Sequence, residues 1–210
     1  MRARIGVRSG CVGALLVAAA LLSGCGQSPG MQPPAGGVLT LNLAPSAPSV
    51  SGLSLSSAKI QIENLTVIGD VASGHASVSE LSLDLLGATQ SFTFDMLPQG
   101  VYSRVDFRVD SLQAQGTWRG VPLQIQLEPG DGSAATVDLR SSSGMELAAG
   151  HDVTFTVSVD GGSWFAGNLL DSATQSSSQI VVDQYNNTSI GSQILMRALA
   201  SFTLHDSPIP

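Results

Sequence analysis

The chain has 210 residues, nine basic against sixteen acidic side chains, a net charge of −7 and an apolar fraction of 43%. That much apolar surface excludes a disordered chain. The acidic balance leaves no basic patch to neutralise phosphates, so nucleic acid is excluded as a partner.

Three arginines, Arg2, Arg4 and Arg8, precede an apolar core from Val12 to Leu22, and small residues follow. This is the order of an export signal. About eleven apolar or small residues are too few to span a bilayer, which takes roughly twenty. The run closes on Leu21-Leu22-Ser23-Gly24-Cys25, which resembles the lipobox of bacterial lipoproteins. The resemblance implies cleavage before Cys25 and a diacylglyceryl group on its thiol. The competing reading is an ordinary signal cut after Ala18-Ala19-Ala20. Cysteine usage favours acylation. The chain has two cysteines, Cys11 inside the signal and Cys25 at its end, so the mature chain has no disulfide despite an oxidising destination. Two or more acyl chains anchor stably where one does not. Gly26 rather than Asp after the cysteine favours the outer membrane, by resemblance to sorting in enteric bacteria. Removal of residues 1–24 leaves six basic residues against sixteen acidic ones, a balance of about −10.

Residues 25–37, rich in Pro and Gly, read as a flexible tether. Residues 38–206 are enough for one domain with a real core. Val38 to Leu43 alternates as a half-buried strand, with Leu39, Leu41 and Leu43 on one side. Ala58 to Ile68 is a longer extended run in which Leu65 and Val67 fall out of phase with Ile60 and Ile62. That predicts a bulge between Glu63 and Leu65. Leu81, Leu83 and Leu85 alternate with polar residues, as do Phe92, Phe94 and Met96, and Gly87-Ala88-Thr89 between them predicts a hairpin loop.

Leu97-Pro98-Gln99-Gly100 is turn chemistry. The strand after it predicts Val101, Ser103, Val105, Phe107 and Val109 on the core face and Tyr102, Arg104, Asp106, Arg108 and Asp110 on the wet one. Leu112 to Trp118, a turn at Arg119-Gly120 and Val121 to Leu127 make a further hairpin. Pro122 puts its second strand at an edge or marks its start. Ala135 to Leu139 is short and extended, and Val153, Phe155, Val157 and Val159 alternate with Thr and Ser. Eight or nine strands at this spacing predict an antiparallel sandwich or barrel. Near the end, Trp164 to Leu170 reads as one helical turn and Ile180 to Val182 as a buried strand. Ile190, Ile194, Leu195, Ala198, Leu199 and Phe202 follow a 3.6 period, predicting a helix over about 188–203 capped by Asn187, Thr188 or Ser189. The helix packs across an end or face of the sandwich. A single Arg197 does not suit a membrane-surface helix.

Leu97-Pro98-Gln99-Gly100-Val101-Tyr102 is similar to the L-P-x-G-x-Y turn of transthyretin-like and carboxypeptidase-regulatory-like sandwiches, and of bacterial lipoproteins with similar domains. The resemblance covers Val38 to about Asp160. It implies a Greek-key domain of seven or eight strands, transthyretin- or Ig-like, used for binding, display or support without catalysis. The C-terminal helix lies outside it. The expected fold class is therefore mainly β, an antiparallel two-sheet sandwich with one C-terminal α-helix.

Motifs for chemistry are weak. Ser56-Ser57-Ala58-Lys59 matches S-x-x-K but runs into a strand, with neither S-D-N nor K-T-G downstream. His75, His151 and His205 lack zinc-ligand spacing. Asp131, Asp160 and Asp171 belong to no D-x-D-x-D run, and Asp-Gly turns account for the stretches around Asp131 and Asp160. The two Asn-x-Thr sequons, at Asn64 and Asn186, have no evident use in a bacterial lipoprotein. Trp118 near a hairpin tip and Tyr102 are the candidate ligand or partner contacts; Trp164 reads as core or rim. The reading is a noncatalytic, exported, lipid-anchored envelope module, binding or structural, that needs no cofactor or metal. Its partners are the lipid bilayer through acylated Cys25 and an unidentified envelope protein or glycan. The alternative is a carbohydrate- or peptide-binding accessory domain, which would present an exposed aromatic platform or an open sheet edge. An envelope hydrolase, with nucleophile, base and oxyanion donors converging in a pocket, ranks below both.

Overall fold

The computed structural model describes residues 36–70, 74–129 and 135–205. The signal, Cys25 and most of the tether lie outside them, as does Asp131. The strands are β1 (Gly37–Ser46), β2 (Leu53–Gly69), β3 (His75–Asp84), β4 (Gln90–Leu97), β5 (Gly100–Trp118), β6 (Val121–Leu127), β7 (Thr136–Leu147) and β8 (Asp152–Asp160). A single helical turn, α1 (Gly161–Trp164), and a 3-10 turn (Leu169–Ser172) follow, then β9 (Gln175–Ser176), β10 (Gln179–Val182), helix α2 (Thr188–Ala200) and β11 (Phe202–His205).

The strands form two packed sheets, a β-sandwich. The smaller has the order β11-β8-β1-β4. The larger has the order β3-β2-β5-β6-β10-β9, with β7 also paired to β5. β5 is long enough to serve two neighbours on one side: Gly100 to Arg108 pair with β7, and Leu112 to Trp118 pair with β6. Most pairs are antiparallel, but β1 with β8 and β6 with β10 are parallel. The core lies between the sheets, where Leu39, Leu41 and Leu43 face Ile60, Ile62 and Leu83, all fully buried. Phe107 of the large sheet meets Phe202 of the small one edge to face, with ring centroids 4.8 Å apart.

Local departures from strict alternation set the details. In β2 the bulge is present: Asn64 takes a positive φ of 53°, the register shifts between Glu63 and Thr66, and Leu65 and Val67 turn inward beside Ile60 and Ile62. In β5 a shift between Tyr102 and Arg104 reverses the expected phase at the start of the strand. Tyr102 is therefore fully buried while Val101 is only half-buried, and Val105, Phe107 and Val109 face inward as expected. Arg119 and Gly120 both have positive φ, which is the geometry a two-residue hairpin loop with the sheet's twist demands. Pro122 stands at the start of β6, outside the Leu123–Ile125 stretch that β10 pairs.

Four expectations need correction. β3 and β4 are not a hairpin, because β3 pairs with β2 and β4 with β1, so the chain crosses between sheets. Asp84 redirects it, its Oδ1 accepting from Leu86 N at 3.0 Å and its carbonyl from Gly87 N at 3.1 Å. Met96 is not inward: it takes a positive φ of 57° and is 77% exposed, while Leu97 turns into the core. β7 runs to Leu147 rather than ending at Leu139; its polar second half gave no alternation and is held by the N-terminal part of β5. Phe202 belongs not to the helix but to β11, which pairs antiparallel with β8.

Helix α2 buries Ile190, Gly191, Ile194 and Ala198. Gly191 permits a close approach: a Cβ there would lie 2.8 Å from Leu127 Cδ2 and 3.4 Å from Val182 Cγ1. The helix is tied to α1 through a buried chain in which Trp164 Nε1 donates to Ser201 Oγ (2.9 Å) and Ser201 Oγ donates to Ala198 O (2.6 Å). Trp164 is thus core, with no exposed surface.

Candidate binding face

The two contact candidates from the sequence are both buried. Tyr102 has no exposed surface, and its hydroxyl donates to Pro98 O at 3.0 Å. This tyrosine corner fastens the turn that carries the chain from the small sheet to the large one. Burial, with Asp70 nearby, raises the Tyr102 phenol above its ordinary pKa. Trp118 is 5% exposed, its ring covered by the Arg119 guanidinium 5.1 Å from the centroid, and Arg119 in turn pairs with Asp171 at 2.9 Å. Neither residue presents a platform, because both are needed to fill the sandwich.

The other sequence candidates are dispersed. Ser56 and Lys59 lie in strand β2, not at a helix start, and Ser56 Oγ donates to Gln115 O. Asp160 caps α1, its Oδ1 accepting from Gly162 N at 3.0 Å, and Asp171 is the partner of Arg119. Among the described residues no group of three His, Cys, Asp or Glu side chains could hold a metal ion. Ser158 Oγ and His205 Nε2 do meet, at 2.9 Å. They are diagonal neighbours on adjacent strands, on the side of β8 opposite the buried Val157 and Val159. β8 is hydrogen-bonded on both sides, by β1 and β11, so the ladders commit its own backbone N–H groups, which are then not available as oxyanion donors.

The outer face of the large sheet is divided in two. Where β7 flanks β5 the face is charged. Arg104 pairs with Asp106 (2.6 Å) and with Asp138 (3.0 Å), and Arg140 pairs with Asp138 (2.9 Å). The Arg140 hydrogen bond, with the charges of Arg104 and Arg140, holds the Asp138 carboxyl below its usual range.

Where β6 flanks β5 the same face carries amides and hydroxyls. Gln113 and Gln115 of β5 stand in register with Gln126 and Gln124 of β6. Gln179 of β10 adds a further amide, its Nε2 donating to Gln124 Oε1 at 3.3 Å. Ser54, Thr117, Gln115, Gln124 and Gln179 line a shallow groove of about 430 Å³. Gly116 belongs to its floor: a Cβ there would lie 2.0 Å from Ser54 O, so only glycine lets the strands close at this point. Gln126, two residues along β6 from Gln124 and so about 7 Å away, lines a second cavity of about 200 Å³ with Glu128, Asp183, Gln184 and Tyr185.

Tyr185 is 81% exposed, yet the loop beneath it is tightly built. Asp183 Oδ1 accepts from Tyr185 N (2.7 Å) and Asn186 N (2.6 Å), and Asp183 N donates to Asn186 O (3.0 Å). The donors to this carboxylate, the Tyr185 N–H foremost and then the backbone and side-chain N–H groups of Asn186, lower the Asp183 pKa. Asn187, expected as a helix cap, precedes α2 in a left-handed conformation without capping through its side chain. Its side chain instead ties the loop down, donating to Thr174 O (2.9 Å) and Val181 O (2.7 Å) and accepting from Thr174 N (2.7 Å). The sequence carries a trace of this face in the glutamines at alternate positions either side of Arg119-Gly120.

Comparison with family models, with curated proteins and with solved structures finds no match to this chain. Among the described residues no helix is long and apolar enough to cross a membrane.

Proposed function

We propose that this chain is a noncatalytic lipoprotein, a β-sandwich held at the cell envelope by acyl chains on Cys25 and serving there as a binding or structural module. The observation that carries the reading is Leu21-Leu22-Ser23-Gly24-Cys25 at the end of an apolar run, followed by a Pro- and Gly-rich stretch. A transthyretin-like ancestry for the sandwich is part of the same proposal. It is supported by Leu97-Pro98-Gln99-Gly100-Val101-Tyr102 and by the tyrosine corner those residues form. The reading of a module rather than an enzyme draws support from how the reactive side chains are used. Asp160, Asp171 and Tyr102 all stabilise turns or packing, and the Ser158–His205 pair is a cross-strand contact between β8 and β11. The favoured location is the outer membrane.

Mass spectrometry of the native protein tests the anchor. The expected result is a mature chain that begins at Cys25 and carries a diacylglyceryl mass, with Cys25→Ser shifting the protein out of the membrane fraction. A native chain recovered unacylated from the water-soluble fraction would overturn it. Crosslinking in intact cells then names the neighbours.

The second reading, a carbohydrate- or peptide-binding accessory domain, is favoured by one observation: an exposed tyrosine on a braced loop beside a polar groove.

A further inference from the structure

We propose that the amide-lined half of the large sheet's outer face, ending at Tyr185, is a binding track for an extended neutral oligosaccharide. The inference deepens the reading of a binding module and rests on it, but it does not depend on the anchor.

An outward sheet surface that has only to stay soluble is served by charges, as the β7 side of this sheet shows with Arg104, Asp106, Asp138 and Arg140. The β6 side presents Gln113, Gln115, Gln124 and Gln126 in two register pairs, with Gln179 beside them and the exposed Lys59 of β2 at the margin, in register with Gln113. Each amide offers both donors and acceptors. Among the described residues, the Gln179–Gln124 contact at 3.3 Å is the only side-chain hydrogen bond that joins two of these amides. A row of groups that both donate and accept, without net charge, matches a row of sugar hydroxyls, which do the same. Anions are disfavoured by Glu128 and Asp183 at the Tyr185 end. Asp183 is in any case occupied by its own loop, so the end offers one free carboxylate rather than a cage for a cation.

Shape points the same way. The groove of about 430 Å³ lies within the roughly 300–1,000 Å³ typical of small-ligand clefts. It is open, and Gln126, two residues along β6 from Gln124, lines a second recess of about 200 Å³ with Tyr185. Two open recesses set along one strand suit a chain rather than a single ring. Tyr185 supplies what the glutamines cannot, an apolar face on which the C–H side of a pyranose can stack. The bonds of Asp183 and Asn187 hold the backbone of this loop in advance, so little conformational entropy is lost when a ligand arrives. Tyrosine on a pre-ordered loop is a characteristic binding anchor.

Isothermal titration of the full-length, detergent-solubilised protein tests the proposal. The probes are soluble hexasaccharides of β-linked glucose, xylose and N-acetylglucosamine, with polygalacturonate and oligolysine as the anionic and cationic arms. At least one neutral hexasaccharide is expected to bind, and the two charged polymers are not. Tyr185→Ala should weaken binding about tenfold or more and Tyr185→Phe by less than about threefold, since the ring stacks and the hydroxyl does not. Gln126→Ala and Gln115→Ala should each weaken it about three- to tenfold. These exposed substitutions leave the core intact, which unchanged thermal unfolding verifies. The proposal is overturned if no neutral saccharide binds, if a charged polymer binds in its place, or if Tyr185→Ala and Gln126→Ala bind like the parent. In-cell crosslinking from the Tyr185 loop to an envelope protein, with no saccharide bound, would sink the saccharide and keep the module. An unacylated native protein that binds the sugar would do the reverse for the anchor.

Discussion

Replacing Tyr102 by Phe isolates one bond at the corner where the chain changes sheets. The ring stays in its fully buried site, so no cavity opens and only the hydroxyl is lost. The parent bond to Pro98 O is neutral and 3.0 Å long, a type worth about 1 ± 0.5 kcal/mol net. Pro98 is half-buried, so water can reach its carbonyl in the variant, and the larger penalty of a sealed, unsatisfied acceptor does not apply in full. The expected cost is about 1–1.5 kcal/mol at neutral pH, or roughly 2–6 °C in Tm for a domain of this size. The same residue adds a signature in alkali. Burial raises the Tyr102 pKa, so above the ordinary tyrosine value the unfolded chain releases a proton that the folded chain still holds. Stability from this group is complete below that value and is lost as pH rises through the folded pKa. Urea unfolding at pH 7 and along a series above pH about 10 reads both effects. Tyr102→Phe should be less stable at neutrality and lose stability less steeply in alkali, so the two curves converge. An unchanged midpoint at pH 7 together with parallel alkaline limbs would refute the argument.

Ser201→Ala should cost about 2 kcal/mol, because Trp164 Nε1 is left buried without an acceptor. Adding Trp164→Phe should then cost less than it does alone, and a double-mutant cycle by urea unfolding measures that coupling. Gly191→Val should cost about 1–3 kcal/mol by driving a branched side chain against Leu127 and Val182, read as a lower Tm with α2 the first element to lose amide protection in hydrogen exchange. Asp138→Asn should cost under about 1 kcal/mol, since the arginine pairs are exposed. The lowered Asp138 pKa makes that contribution present above the ordinary carboxylate range and lost as pH falls through the folded value. The variant should therefore match the parent in acid and in high salt, and a pH series of thermal unfolding decides it. Asp183→Ala should speed hydrogen exchange at the Tyr185 and Asn186 amides, whose acceptor it removes, while leaving the amides of β2 unchanged.

Strand positions were legible wherever one face alone was buried. β1 and β6 show period two in the sequence and period two in burial. Even the β2 bulge could be read, because a bulge moves apolar residues from one parity to the other and so leaves Leu65 and Val67 out of step with Ile60 and Ile62. Pairing was not legible in the same way. The short link from β3 to β4 has the length of a hairpin loop, yet each strand has a better partner, β3 against β2 and β4 against β1. Loop length bounds the distance between two strand ends but does not say whether they share a sheet. Likewise Tyr102 reads as outward by parity. Its inward turn goes with a three-residue shift against β7, whose polar second half carried no pattern to announce it.

The candidate face was hidden for a related reason. Alternation reports where side chains point, and glutamine, serine and lysine on an outward face all satisfy it equally. What distinguishes Gln113, Gln115, Gln124 and Gln126 is their register across the Arg119-Gly120 turn, which sets amide beside amide, and then the parallel addition of β10, which brings Gln179 and the Tyr185 loop alongside. That last pairing joins residues some fifty positions apart, as Gln179 and Gln124 show. Aromatic residues mislead in the same manner. Trp118 at a hairpin tip looks available, but Arg119 closes over its ring, and Asp171 from a distant turn holds that arginine in place. Tyr185 attracts no notice in a stretch of Asp, Gln and Asn until the Asp183 and Asn187 side chains are seen fixing the loop beneath it. The exposure of a ring follows from what its neighbours are bonded to, and those bonds span distances that no local window of sequence covers.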